Sequence, residues 1–249
     1  MLWIYKLFKK LSFSSEKVGS ITIVGVGPGD PSLLTIAAVK ALRNSKIIFC
    51  PISGEDKSSI SAEIVKKYIK NKKQIPLFFP MAKKYFDAEE VWKSSAEKIV
   101  KYIKKNISVT LLTLGDTSIY SSCFFISDEI TKNYPEIKIN VIPGISSFSL
   151  AAALSNFQLI KNGESLQVLE CPDDANLFLK LIAQQNKKVF VIMKVGKRWK
   201  WVRNVLQEIK IIEKTFLATN LGMTNQFIGQ ASNYLPDELP YFSLLLLRL

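Results

Sequence analysis

The sequence predicts an α/β protein made of two domains, and three observations lead to that prediction. Apolar, β-branched runs alternate with helical segments from residue 21 onwards. Three of these runs end in turns that contain glycine. The 249 residues are 48% hydrophobic, which is enough for sizeable cores. Together these features indicate sheets whose strands are connected by helices.

The first half is predicted to form an open, mainly parallel sheet with helices on both faces. Its strands are continuous apolar runs, which are typical of strands covered on both sides. These strands are 21–24, 46–50, 109–114 and 137–142. Helices are predicted to begin at Pro31, Ser61, Ala88 and Tyr120.

The second half continues the alternation less regularly after the Pro143-Gly144 break. Its predicted strands are 166–171, 189–193, 215–219 and 242–247, with helices over 175–184 and 199–209. This pattern predicts a second α/β domain. The domain limits are therefore 21–141 and 142–249, with residues 1–20 as an N-terminal extension.

The extension is apolar and basic. Lysines at 6, 9 and 10 interrupt the apolar stretch that a secretory signal peptide needs. A short surface extension is therefore favoured over a signal peptide, and a helix at a membrane interface is the alternative. The longest apolar run elsewhere is too short for a membrane span.

The first glycine turn, Gly25 to Pro31, follows the first strand. Asp30 is suited to cap the next helix and Pro31 to occupy its first position. The turn differs from the G-x-G-x-x-G fingerprint of dinucleotide-binding proteins. Asp30 replaces the third glycine, and Cys50 occupies the position where that fingerprint needs an acidic residue. No Gly-Lys-Ser/Thr follows. NAD and ATP are therefore disfavoured, while a turn with no ligand remains an alternative.

Two further glycine turns, Gly115 to Tyr120 and Pro143 to Ser147, follow the strands at 109–114 and 137–142. In open α/β sheets, ligands bind beyond the carboxyl ends of strands. Three turns in such positions predict a single cleft lined by backbone N–H groups and small hydroxyls.

The net charge of +13 favours an anionic partner. The lysines lack the interleaved arginines and aromatic residues of single-strand binders, so nucleic acid is disfavoured. The three cysteines, Cys50, Cys123 and Cys171, are far apart, which indicates neither a zinc site nor a disulfide framework and fits the cytoplasm. The chain has no histidine, so Ser-His-Asp and Cys-His catalysis are excluded.

Three motifs in order, GVGPGDPSLLT, LTLGDTSIYSS and VIPGISSFSLAAA, resemble the tetrapyrrole methylases of the cobalamin pathway, which use S-adenosylmethionine. VIMKVGKRW, the closing YFSLLL and Phe79-Pro80-Met81 are similar to the precorrin-2 C20-methyltransferase branch. The resemblance covers residues 21–249. It differs at Thr117, where the family usually has proline, and threonine is still compatible with a turn.

The resemblance implies a first domain with a mainly parallel sheet, a smaller second domain with a mixed sheet, and a homodimer. It also implies S-adenosylmethionine bound in the cleft between the domains, an anionic tetrapyrrole as substrate, and no protein-bound metal. The implied donor contacts are Pro28, Leu114, Gly115, Asp116, Ile119, Ser146, Ser147, Met193 and Ala218. The implied reaction is methylation of C20 in precorrin-2 or cobalt-precorrin-2.

Several of these residues also have structural interpretations. The Asp116 carboxylate could meet a cationic donor or form an Asx turn within its own loop. Ser146 and Ser147 could contact the donor or cap the following helix. Met193 stands at a strand end, where methionine is usually part of the core. Tyr120 could reach the macrocycle or pack on the helix that it is predicted to begin.

Lys194, Lys197, Arg198 and Lys200 form a basic segment beside two tryptophans. Lys194 and Arg198 are predicted to bind substrate carboxylates, with a solvated basic loop as the alternative. No catalytic base is identified. Two other functions stay open: a sister methylase acting at another ring position or on uroporphyrinogen, and a non-enzymatic protein that binds polyanions.

Overall fold

The structure is a computed structural model that describes residues 19–54, 58–79, 85–183 and 187–249, with residues 85–88 as backbone only. Most of the predicted extension, and Pro80 and Met81, lie outside these ranges. The described residues fall into two compact units. The first contains residues up to Val24 together with Ile36–Thr113 and Tyr120–Ile142, and the second contains Gly25–Thr35, Leu114–Ile119 and Pro143–Leu249. The domain limits proposed from sequence stay a prediction.

The first unit contains a five-stranded sheet in the order β3-β2-β4-β1-β5. Its strands are β1 Ile21–Gly25, β2 Ile47–Ile52, β3 Lys73–Phe78, β4 Val109–Thr113 and β5 Ile139–Ile142. β1 pairs with β5 in parallel, and β2 pairs in parallel with both β3 and β4. The predicted parallel α/β sheet is confirmed.

Helices of the first unit include α1 Ile36–Asn44, α2 Ile60–Ile64, α3 Lys66–Ile69, α4 Tyr85–Ile103 and α5 Cys123–Asn133. The core joins β1, β2 and β4 to α4 and α5, with Phe49, Ile99 and Leu111 fully buried. Burial of these large side chains supplies the main driving force for packing the helices on the sheet.

The second unit contains a mixed sheet in the order β6-β7-β10-β8-β9. Its strands are β6 Ser165–Glu170, β7 Lys188–Met193, β8 Phe216–Thr219, β9 Phe227–Gln230 and β10 Ser243–Arg248. The β6–β7 pair is parallel, and the other three pairs are antiparallel. Helices α6 Ser147–Leu154, α7 Ala175–Ile182 and α8 Trp199–Glu208 accompany this sheet. The mixed sheet implied by the family resemblance is confirmed.

Four details differ from the sequence predictions. Strands β3 and β9 were not predicted, and β3 is an edge strand that contains Pro76, a position where proline is tolerated because one side needs no ladder hydrogen bond. The segment after Asp30 begins with a short 3-10 turn before α1. Helix α5 begins at Cys123 rather than Tyr120, because Tyr120 has a left-handed φ of 49°. Among the described helices, none has both the length and the hydropathy to cross a membrane.

Candidate functional site

The first glycine turn leaves β1 at Gly25 and belongs to the second unit. The Asp30 carboxylate accepts a hydrogen bond from the backbone N–H of Ser32, at 2.7 Å, and Pro31 begins the 3-10 turn. Hydrogen bonds from the Ser32 backbone and side chain lower the pKa of Asp30. The predicted roles of Asp30 as a cap and of Pro31 at the first position are confirmed for this short turn.

The second glycine turn is joined to the first by a pair of backbone hydrogen bonds. Gly27 N–H donates to the carbonyl oxygen of Gly115 at 3.1 Å, and Gly115 N–H donates to that of Gly27 at 2.8 Å. Both residues have positive φ, 78° and 70°, a conformation that glycine adopts without steric cost. These glycines therefore fix two loops that are distant in sequence against each other.

The third glycine turn packs directly on the other two. A Cβ atom at Gly25 would lie 2.5 Å from the backbone nitrogen of Gly144 and 2.8 Å from the carbonyl oxygen of Gly115. Such distances leave no space for a side chain, so the glycines permit close backbone contact. We call this meeting point of Gly25, Gly27, Gly115 and Gly144 the glycine junction. The three turns that the sequence singled out do meet, and they meet within the second unit.

Asp116 adds a side-chain connection to the glycine junction. One carboxylate oxygen accepts from the N–H and the hydroxyl of Ser118, and the other accepts from the N–H of Gly144 at 3.0 Å. Partial burial would raise the pKa of Asp116, but hydrogen bonds from Ser118, Gly144 and Thr117 together lower it below its ordinary value. The Asx-turn interpretation is confirmed, and the carboxylate also holds a second loop. Contact with a donor stays a prediction.

A fourth segment, which sequence reasoning did not include, also touches the first turn. A Cβ at Gly29 would lie 2.5 Å from the carbonyl oxygen of Leu221, and Gly222, with φ of 71°, lies against the backbone of Gly29 and Asp30. Gly222 N–H donates to the side-chain oxygen of Gln226 at 2.7 Å. The signal was present, because Gly222 follows strand β8 as the other turns follow their strands.

Ser146 and Ser147 begin helix α6. The Ser146 hydroxyl accepts from the N–H of Ser149 at 3.3 Å, and the two hydroxyl oxygens lie 2.7 Å apart. Ser146 is the cap and Ser147 the first helical residue, so the capping interpretation is confirmed for Ser146. Both side chains are partly exposed, which leaves contact with a ligand sterically open.

The nine predicted donor residues all lie in the second unit, in differing environments. Pro28 and Ala218 are buried, and Met193 is partly buried against the apolar cluster that includes Ala218. The remaining six are partly exposed: Leu114, Gly115, Asp116, Ile119, Ser146 and Ser147. Among the residues that the structure describes, none beyond its immediate chain neighbours has a heavy atom within 4 Å of a Cβ built at Gly115. Open space therefore lies beside the glycine junction on that side.

The predicted substrate residues are placed as follows. Tyr120 is 50% exposed. Lys194 and Arg198 each form an ion pair, with Glu170 at 3.1 Å and with Asp173 at 2.5 Å respectively. Trp199 is fully buried and its indole N–H donates to the carbonyl oxygen of Pro236. Trp199 is therefore a core residue and offers no ring surface to a ligand.

Comparison with known proteins agrees with this architecture. The family model of the tetrapyrrole (corrin/porphyrin) methylases matches residues 20–232, a span that includes all three glycine turns. The chain belongs to this family.

Two relatives match along nearly their whole length. The cobalt-precorrin-2 C(20)-methyltransferase of Salmonella typhimurium is 25% identical over 92% of this chain and 96% of its own. The precorrin-2 C(20)-methyltransferase of a Sinorhizobium species is 28% identical over 94% and 96%. Both alignments therefore extend beyond a shared local motif.

A solved structure shares the fold. The uroporphyrin-III C-methyl transferase of Thermus thermophilus, complexed with S-adenyl homocysteine, superimposes with a TM-score of 0.60 at 16% identity, covering 92% of this chain and 97% of that one. This likeness shows that the two proteins share the same fold.

Proposed function

We propose that this chain is a methyltransferase that transfers the methyl group of S-adenosylmethionine to C20 of precorrin-2, or of its cobalt complex, in cobalamin biosynthesis. The structural observation that carries the proposal is the convergence of three glycine turns within one unit, with open space beside Gly115. The two relatives aligned over 96% of their own lengths are named for this reaction, which supports C20 as the position. The complex of the Thermus protein with S-adenyl homocysteine supports the donor.

The residues at the glycine junction suit a cationic donor. The Asp116 carboxylate is held ionised by its hydrogen bonds, and it supplies negative charge beside the opening at Gly115. Ser146 and Ser147 are partly exposed, and their hydroxyls add hydrogen-bonding capacity. We assign the donor contacts to Pro28, Leu114, Gly115, Asp116, Ile119, Ser146, Ser147, Met193 and Ala218.

The reaction needs little acid or base catalysis from the protein. When bound, S-adenosylmethionine supplies an electrophilic methyl group with its leaving group already attached. The chain's own task is to hold the substrate carbon in line with that group, and correct orientation alone can supply several kcal/mol of the barrier. The meso carbon C20 would form the new bond to the methyl carbon as the bond from that carbon to sulfur breaks, with S-adenosylhomocysteine as the leaving group, and C20 would afterwards lose a proton to solvent or to a carboxylate. This account fits a chain that has no histidine.

The anionic tetrapyrrole requires cationic partners, and we assign this role to Lys194 and Arg198, with Tyr120 at the ring. A cytoplasmic homodimer without a protein-bound metal completes the proposal.

A direct test incubates the purified chain with methyl-labelled S-adenosylmethionine and either precorrin-2, cobalt-precorrin-2 or uroporphyrinogen III. We expect one methyl group at C20, located by NMR, with one of the first two substrates. Methylation at another position, or of uroporphyrinogen alone, would move the chain to a sister activity. No binding of S-adenosylhomocysteine by calorimetry, together with tight and salt-sensitive RNA binding, would refute the enzyme and favour a polyanion-binding protein.

A further inference from the structure

Four charged side chains meet at the carboxyl ends of two parallel strands, β6 and β7. Lys194 Nζ lies 3.1 Å from Glu170 Oε2, and Arg198 Nη2 lies 2.5 Å from Asp173 Oδ1. Arg198 also donates through Nη1 to the carbonyl oxygen of Lys194, at 3.3 Å. We call Glu170, Asp173, Lys194 and Arg198 the strand-end charge cluster.

The backbone holds these charges in a defined arrangement. Glu170 is the last residue of β6 and pairs in register with Met193, the last residue of β7. Cys171 N–H donates to the carbonyl oxygen of Met193 at 2.8 Å. Lys194 then adopts a left-handed φ of 57°. A lysine in that conformation carries strain of the kind that is often retained at functional sites.

In both ion pairs the carboxylate is more exposed than the cation. The exposed fractions are 34% for Lys194 against 45% for Glu170, and 24% for Arg198 against 74% for Asp173. Solvent therefore reaches all four side chains, and it reaches the two carboxylates more than the two cations. Ion pairs exposed to this degree contribute little net stability, because solvation competes with the attraction. Another carboxylate can replace them at low cost.

We propose that Glu170 and Asp173 are exchangeable carboxylates that set the affinity of the substrate site for an anionic tetrapyrrole. They hold Lys194 and Arg198 in place when no ligand is present. A ligand with several carboxylates displaces both, and the second displacement is favoured because the ligand is already bound at the first. This inference rests on the proposed function, since that function supplies a polycarboxylate substrate.

The test measures equilibrium binding of uroporphyrin III, a tetrapyrrole polycarboxylate, to the full chain by quenching of the porphyrin fluorescence. Glu170→Gln and Asp173→Asn each remove one competing carboxylate while keeping the side-chain shape. Each should bind uroporphyrin III about fivefold more tightly, the upper range for an exposed ion pair. Lys194→Gln and Arg198→Gln should weaken binding by a similar factor.

The matched control is Glu63→Gln, which breaks the exposed 3.2 Å pair between Glu63 and Lys66 in the first unit. Its affinity for uroporphyrin III should equal that of the wild type. Equal tightening in this control would show a general charge effect and would overturn the proposal.

A gain in affinity separates the proposal from a purely structural role, because loss of a structural ion pair would weaken binding or leave it unchanged. Unchanged or weaker binding in both Glu170→Gln and Asp173→Asn, or no binding of uroporphyrin III to any variant, would overturn it. Failure of the proposed function would give a different result from failure of this inference. Glu170→Gln and Asp173→Asn would bind uroporphyrin III more tightly, but the wild type would methylate neither precorrin-2 nor its cobalt complex.

Discussion

The Asp116 carboxylate accepts a hydrogen bond from the backbone N–H of Gly144, although the two residues are 28 positions apart. The same carboxylate closes an Asx turn through Ser118. One side chain therefore links the second and third glycine turns, and its effects on binding and on stability can be measured separately.

Asp116→Asn should weaken binding of S-adenosylmethionine by about tenfold, because it removes the negative charge proposed to face the cationic donor, and it should also lower the melting temperature. The oxygen of the new asparagine can still accept a hydrogen bond from Ser118, but its NH₂ group then faces the N–H of Gly144. The hydrogen bond to Gly144 is therefore lost, and losing a hydrogen bond to a charged group lowers the free energy of unfolding by roughly 1.5 to 3 kcal/mol. Calorimetry measures the affinity and thermal denaturation the stability. Asp128→Asn, at an exposed position on α5, is the control and should change neither. Wild-type affinity in Asp116→Asn would remove Asp116 from the donor site.

At acid pH the wild type should lose more stability than Asp116→Asn, which keeps the contribution of Asp30 but lacks that of Asp116. Partial burial opposes ionisation of Asp116, but the hydrogen bonds from Ser118, Gly144 and Thr117 hold its pKa below the ordinary value of 3.8. Its contribution to stability is therefore complete above pH 3.8 and disappears as the pH falls through the lower pKa of the folded state. Urea unfolding between pH 5 and about pH 3 measures how the free energy of unfolding changes with pH. Parallel pH profiles for the two proteins would contradict the assignment.

Gly144→Ala should destabilise the protein by more than about 2 kcal/mol and abolish binding of S-adenosylhomocysteine. Its Cβ would lie 2.8 Å from the carbonyl carbon of Gly25 and would also collide with the carbonyl oxygen of Gly115, and overpacking of this kind costs typically 1 to 3 kcal/mol. Gly163→Ala is the matched control. Gly163 has φ of 80°, and no other part of the described chain lies within 4 Å of a Cβ added there. This variant therefore tests backbone strain alone, which costs about 1 kcal/mol. Urea unfolding and calorimetry give the two readouts, and equal losses in both variants would contradict the close-packing argument.

The three thiols should be unreactive in the folded protein. Cys50, Cys123 and Cys171 are buried, and burial raises the pKa of Cys50 to about 11 and the pKa values of Cys123 and Cys171 to about 12. Since the thiolate is the reactive form, Ellman's reagent at pH 8 should release almost no colour until denaturant is added. Rapid reaction of one thiol in the native protein would show that its segment opens. The variants Cys50→Ser and Cys171→Ser would then identify which one.

Some of the local structure could be predicted because its causes are local. The apolar runs that became β1, β2, β4 and β5 are recognisable by composition alone. Strand β3 was missed because Lys73 and Pro76 interrupt its apolar pattern. Its pairing with β2 is a contact between distant residues, which local sequence does not reveal. Tyr120 was predicted to begin a helix, but its φ is left-handed, and a right-handed α-helix needs a negative φ.

The amino-acid sequence by itself determined the α/β class, the three glycine turns and the absence of imidazole chemistry, since each depends on residue type and short-range order. Only the tertiary structure decided that Gly25, Gly115 and Gly144 touch, that Gly222 joins them, and that Glu170 and Asp173 face Lys194 and Arg198. The physical reason is that these contacts join residues far apart in the chain. Their distances are set by strand register and by the packing of whole elements, which short-range patterns do not encode.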